Sequence, residues 1–266
     1  MNRDIIKRNN IHRFGSGSQT MMFAHGYGCD QNMWRFVAPR FEKDFKILLF
    51  DHVGSGQSDE SAYDFEKYNS LQGYANDIIE ICEALELKEV IFVGHSVSCM
   101  IGLLAAKARP ELFSKLIMIG PSPGYINDGE YFGGFSAEDI ENLISTLESN
   151  YLGWSEHIAP VIVGDADQPE FSKELENSFC RMNPAIGKHF AKVTFTSDNR
   201  ADLPDIPHPV LVVQSHPDAI APVETGKYVA EHIPKCTYVE LNSAGHCPHL
   251  TAPDKIIAAM ATYLNE

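Results

Sequence analysis

The sequence predicts an α/β fold in which a mostly parallel sheet carries helices on both faces and is interrupted once by a helical insertion. Two observations carry this prediction. Strand-like and helix-like segments alternate up to about Gly124 and again after about Asp198, and the strand-like runs are apolar throughout. Unbroken apolar runs are what strands covered on both faces require, and alternation with helices is the mark of a parallel sheet. The middle of the chain lacks that rhythm and reads as helical.

Taken in order, "TMMFAHG" and "FKILLFDHVGSG" are short apolar runs that end in glycine-bearing turns. "LQGYANDIIEICEALEL" sets Tyr74, Ile78, Ile81 and Leu85 at helical spacing. "EVIFVGHS" reads as a strand, "CMIGLLAAKARP" as a helix stopped at Pro110, and "FSKLIMIGPSPG" as a strand and turn. In the insertion, Ser136 followed by Asp139 forms a capping-box pattern, opening one helix through "DIENLISTLESNYLGW". "PEFSKELENSFCRM" and "NPAIGKHFAKVTF" are two more helices, each with proline in its first turn. "PVLVVQSHPD" and "CTYVELNSAGH" restore the strands, and "PDKIIAAMATYL" closes the chain as a helix. The predicted organisation is a core over 1–124 and 196–266, with the insertion over 125–195.

Composition narrows the function. The chain has 266 residues, with 36 acidic against 21 basic side chains and a net charge of −15. Such a surface argues against nucleic acid or an anionic membrane as partner. The six cysteines, Cys29, Cys82, Cys99, Cys180, Cys236 and Cys247, form no CxxC pair, and "MNRDIIKRNNIHRFGSG" has no apolar leader core. Scattered thiols without a leader predict a reducing, cytoplasmic setting. No run approaches the roughly 20 apolar residues of a membrane span.

The chemistry is concentrated at strand ends. In "VGHSVS", Ser96 stands between a β-branched strand and a helix, flanked two residues away by Gly94 and Ser98. A serine on so sharp a turn needs small neighbours, because strand and helix backbones pass close to each other there. The turn presents the hydroxyl at the carboxyl edge of the sheet, beside the free N–H groups of a helix N-terminus. A hydroxyl is a weak nucleophile alone and needs a base held by an acid. Where a strand–turn–helix presents the serine, the partners follow in the order acid, then histidine. Asp218 follows the strand "PVLVVQSH", and His246 lies in a glycine-bearing loop after the next strand. The predicted catalytic set is Ser96, Asp218 and His246. Backbone N–H groups of Val97 and of Tyr27, in "FAHGYGCDQ", are the expected donors to an oxyanion.

Other candidates have plainer readings. His95 is a neighbour within the elbow, and His25 is expected to fix the Tyr27 loop by hydrogen bonds. "HCPH", from His246 to His249, lacks a second ligand cluster of suitable spacing, so neither a metal nor another cofactor is expected. Asp205 precedes its strand and lies at the wrong end. "FDHVGSGQSD" has neither the third glycine of a dinucleotide loop nor a following Gly-Lys-Ser/Thr, so it reads as a turn shaping the sheet's edge. Serine at the elbow argues against dehalogenase or epoxide hydrolase chemistry, which needs a carboxylate there, and against a cysteine-dependent dienelactone hydrolase. An aminopeptidase reading would want acidic anchors, for which Glu156 or Asp165 could serve; a haloperoxidase-like side activity also stays open.

With these residues in view, the chain resembles the α/β-hydrolases of the RsbQ-like group, bacterial stress-response regulators similar to the plant strigolactone and karrikin receptors. The stretches that carry the resemblance include "MFAHGYGCDQ", "LLFDHVGSGQSD", "VGHSVS", "GPSPGYIND", "SNYLGW" and "GHCPH". The resemblance implies a hydrolase core with a four-helix lid. It also implies a substrate pocket lined by Tyr27, Phe135, Trp154, Ile158 and Phe195, with isoleucine where the plant receptors usually carry an aromatic residue. The ordered set Ser96, Asp218 and His246 predicts hydrolysis of a small hydrophobic ester or lactone. The resemblance further implies a ligand-responsive signalling role with a phosphatase partner that carries a sensor domain.

Overall fold

Apolar strands become a two-sided core because successive side chains point to opposite faces. Met21, Phe23, Ile91, Val93, Ile117, Ile119, Leu211 and Val213 pack to one side with Trp34, Phe41, Ile256 and Met260. Met22, Ala24, Val90, Phe92, Leu116, Met118, Val210 and Val212 pack to the other. Every one of these side chains is buried, so the strands that carry them are covered on both faces.

The structure, a computed structural model, describes residues 2–164 and 167–265. Among them, seven strands form one sheet: β1 (His12–Phe14), β2 (Thr20–Ala24), β3 (Lys46–Leu49), β4 (Val90–His95), β5 (Phe113–Ile119), β6 (Val210–His216) and β7 (Cys236–Asn242). Their spatial order is β1-β3-β2-β4-β5-β6-β7. The edge strand β1 runs antiparallel to β3, and every other pair is parallel. The carboxyl ends of β2, β4, β6 and β7 therefore share one edge, which is where ligands enter open α/β sheets.

The helices are α1 (Asn2–Arg8), α2 (Leu71–Ala84), α3 (Val97–Ala108), α4 (Ala137–Ser149), α5 (Tyr151–Val163), α6 (Pro169–Arg181), α7 (Pro184–Phe195), α8 (Val223–His232), α9 (Pro248–Thr251) and α10 (Pro253–Leu264). Helices α4 to α7 all fall between β5 and β6. No described helix is long and apolar enough to cross a membrane.

One predicted helix is two. The stretch read as a single helix into "NYLGW" breaks at Asn150, whose backbone leaves the helical region at φ −147°, ψ 76°. Its N–H still donates to Thr146 O at the end of α4, while its side-chain oxygen accepts from the Gly153 N–H at the start of α5. Asparagine competes with helix continuation in this way and is a favoured N-cap. The Ser136–Asp139 capping box is present at the start of α4. Asp205, set aside in the sequence, pairs with Lys107 at 2.7 Å. Gly54 and Gly56 take φ of 89° and 56° in a turn whose anchor is Asp51. The Asp51 carboxylate accepts from the Gln31 and Gln57 N–H groups and from the Asn10 side chain.

Asn150→Ala removes this cap and is expected to cost about 1 kcal/mol, seen as a Tm lower by about 2–4 °C, with Asn150→Asp restoring most of it. An unchanged melting curve in the alanine variant would show that the break does not depend on this side chain.

Candidate active site

The site begins with a backbone bend. Ser96 joins β4 directly to α3 with φ 56°, ψ −126°, a combination that a non-glycine residue holds only at a cost of roughly 1–3 kcal/mol. Its neighbours hold it there: the Ser96 N–H donates to Ile119 O at 2.9 Å, and Ser96 O accepts from Cys99 N–H at 2.9 Å. A Cβ on Gly94 would lie 2.7 Å from Ser98 O, so the strand can pass the helix only without a side chain.

Three strand ends converge at that bend, and Ser96, Asp218 and His246 are all buried there. Ser96 Oγ lies 2.8 Å from His246 Nε2, and His246 Nδ1 lies 2.7 Å from Asp218 Oδ2. The other Asp218 oxygen accepts from the Ile220 and Ala221 N–H groups at 2.8 and 3.0 Å. A carboxylate can only accept, so His246 donates from Nδ1 and turns the lone pair of Nε2 toward the serine hydroxyl. Gly120, at φ 60°, leaves room for this ring; a Cβ there would lie 3.1 Å from His246 Cε1.

The Val97 N–H opens α3, and the Tyr27 N–H lies in the loop after β2. Neither amide has a backbone acceptor among the described residues. Gly26 sits directly on the elbow, since a Cβ there would meet Ser96 Cβ at 3.2 Å. The Tyr27 side chain does something the sequence did not disclose. Its hydroxyl donates to Gly187 O in α7 at 3.0 Å, and its ring packs against Trp154, Phe179, Phe190 and Phe195.

A cavity of about 100 Å³ lies over Ser96 and His246. Tyr27, Phe135, Trp154, Ile158 and Phe195 are all on its wall, together with Leu143, Leu175, Ile220 and the thiols of Cys29 and Cys247. Two polar groups that the sequence reading did not assign to the site are there too. Thr194 is buried with an unpartnered hydroxyl, and the Tyr125 hydroxyl, its pKa raised by burial, is beside Ser96. Of the two acidic anchors considered, Glu156 is exposed and off the cavity wall, and Asp165 lies outside the described residues.

The roof of the cavity is joined to the sheet edge that carries His246. The His246 N–H donates to Ile162 O in the last turn of α5 at 2.7 Å. Next to it, Gly164 and Gly245 meet backbone to backbone: a Cβ on Gly245 would lie 1.7 Å from Val163 O, and one on Gly164 would lie 2.6 Å from Gly245 Cα. Beneath the imidazole, His95 donates from Nε2 to His246 O at 2.7 Å. The ligand atoms of His95, Cys247 and His249 lie within 4.8 Å of one another. The sequence spacing missed this grouping because His95 comes from the elbow. Neighbouring ligands of a tetrahedral zinc are about 3.4 Å apart, closer than the spread of these atoms, so the group reads as packing under the loop.

Comparison with known proteins agrees with this architecture. Residues 19–253 match the family described as the alpha/beta hydrolase fold. The chain is 39% identical to a karrikin insensitive 2 receptor of Petunia hybrida, over 98% of this chain and 97% of that one. It is 37% identical to a strigolactone esterase of Arabidopsis thaliana, over 95% of both. The solved structure of a hydrolase from Oleispira antarctica superposes with a TM-score of 0.97 at 43% identity, covering 100% of this chain and 97% of that one. The chain belongs to the α/β-hydrolase family.

The buried histidines predict an acid limit. Burial pushes His52 and His95 well below the usual imidazole range and His249 down to about 3. The unfolded chain takes up these protons first, below pH about 6.5, so stability is complete above that pH and falls as pH drops toward the folded values. Each such histidine costs on the order of 2 kcal/mol by pH 5. Urea titrations at pH 7 and pH 5 are expected to show a smaller acid loss for His249→Gln than for the wild type; equal losses would refute the assignment.

Proposed function

We propose that this chain is a serine hydrolase of the carboxylesterase or lactonase type, acting on a small hydrophobic ester or lactone. The observation that carries the reading is the unbroken hydrogen-bonded row from Asp218 through His246 to Ser96 under an apolar cavity. The size of the cavity favours a small ligand, and its aromatic and aliphatic lining favours an apolar one. The segment 125–195 acts as a lid that supplies most of that lining.

In the proposed reaction, His246 Nε2 takes the Ser96 proton as Oγ attacks the substrate carbonyl. The N–H groups of Val97 and Tyr27 receive the oxyanion, and the start of α3 adds a favourable dipole. Asp218 holds the imidazole by its Nδ1–H and stabilises the cation. The proton on Nε2 then goes to the leaving alkoxide. A water activated by the same nitrogen releases the acid and frees Ser96. Because His246 is held from both sides, by Asp218 and through its own amide and carbonyl, little reorganisation accompanies the transfer.

A second reading is compatible with the first: a ligand-responsive signalling protein of the RsbQ-like type, in which occupancy or turnover in the pocket regulates a sensor-domain phosphatase. What favours it is the 39% identity to a receptor, together with the direct bond between the α5 roof and the His246 loop.

Ser96→Ala is expected to lower p-nitrophenyl acetate turnover by at least about a thousandfold without changing the melting temperature by more than a few degrees. Turnover equal to that of the wild type would end the hydrolase reading. A purified sensor-domain phosphatase whose activity is indifferent to the chain, with and without a cleavable ester, would end the second.

A further inference from the structure

The elbow ends in Ser98 where glycine is the usual residue, and the structure gives that hydroxyl a task. Ser98 is fully buried, as are His25 and His52. Its hydroxyl donates to His25 O and lies 2.8 Å from His52 Nε2. The single hydroxyl proton is committed to the carbonyl, so His52 must donate from Nε2, leaving its buried Nδ1 bare and without a partner. A second chain of bonds runs alongside. The His52 backbone N–H donates to His25 Nε2 at 3.1 Å, which puts the His25 proton on Nδ1, and Nδ1 lies 2.8 Å from Gly26 O.

These bonds act on two successive peptide units. Ser98 holds the oxygen of the His25–Gly26 peptide, and the His25 ring holds the oxygen of the Gly26–Tyr27 peptide. In a trans peptide the N–H points opposite to the C=O. Fixing Gly26 O therefore aims the Tyr27 N–H, and fixing His25 O keeps the preceding unit from turning it away. We propose that Ser98 and His52 are positioning residues that brace the loop after β2 and so hold the Tyr27 N–H over Ser96. The proposal rests on the hydrolase reading, in which that N–H receives the oxyanion. The brace joins three places far apart in the sequence: the loop after β2, the turn after β3 and the first turn of α3. His52 is itself held by ring contacts with Phe50, Tyr74 and Phe190.

The experiment compares the wild type with Ser98→Ala, His52→Phe and the double variant. Pre-steady-state release of p-nitrophenol reports acylation, the rate of inactivation by an aryl phosphate triester reports how well the hole receives a tetrahedral anion, and a melting curve reports the fold. Each single change is expected to slow acylation and phosphorylation together by about tenfold to a hundredfold, with KM within about twofold of the wild type. The double variant is expected to match the worse single one, because both groups act through the same carbonyl. Ser98→Thr, which keeps the hydroxyl, is expected to recover more of the rate than Ser98→Ala. Wild-type rates in the folded alanine and phenylalanine variants would overturn the proposal, as would losses that merely follow a drop in melting temperature or multiply in the double variant. Ser96→Ala serves as the reference: its activity decides the hydrolase reading, and the brace is judged only on enzymes in which Ser96 is intact.

Discussion

The left-handed backbone of Ser96 is the constraint on which the rest of the site depends. At φ 56° the chain turns from β4 into α3 within one residue, and that turn puts a hydroxyl, a helix N-terminus and a sheet edge in the same place. The strain is tolerable because the surroundings determine it from every side. The Ser96 N–H is tied to β5, Gly94 has no side chain to collide with Ser98 O, and Gly26 lies against the Ser96 Cβ. Local strain held by a rigid frame is how a fold stores a reactive geometry. The frame here is the centre of the sheet, where β2 and β4 are buried on both sides, so there is little slack in it.

Much of this was legible in the sequence, for physical reasons. Parallel strands with two buried faces must be apolar throughout, and β2, β4, β5 and β6 announced themselves in that way. Ser96, Asp218 and His246 could be picked out because, on a strand–turn–helix elbow of this fold, the acid and the histidine follow the serine at later strand ends. The edge strand β1 was not legible: it is three residues long, with His12 and Arg13 exposed. Helix α8, with Gly226 inside it and little apolar excess, was missed as well. The break at Asn150 was hidden because helical periodicity continues across it; only the competition between a side-chain oxygen and the backbone reveals the stop.

Side-chain direction was the larger gap. Tyr27 could be assigned a backbone role from its loop, but nothing in the sequence says that its hydroxyl reaches α7. His25 was expected to stabilise its loop and does so by two bonds. The contribution of His52 required knowing that the turn after β3 lies under the elbow. His95, Cys247 and His249 likewise form a group only after the end of β4 and the segment after β7 are brought together. In each case the missing information was tertiary proximity, which a single sequence encodes without displaying.

The seam between Gly164 and Gly245 has a mechanical consequence. With no side chain on either residue, nothing compressible separates the end of α5 from the loop that carries the imidazole, and the His246 N–H is bonded across the same junction. Trp154 and Ile158 project into the cavity from that helix. A shift of that helix toward the loop therefore meets no side chain that could yield between them, so the two segments are fitted to move together.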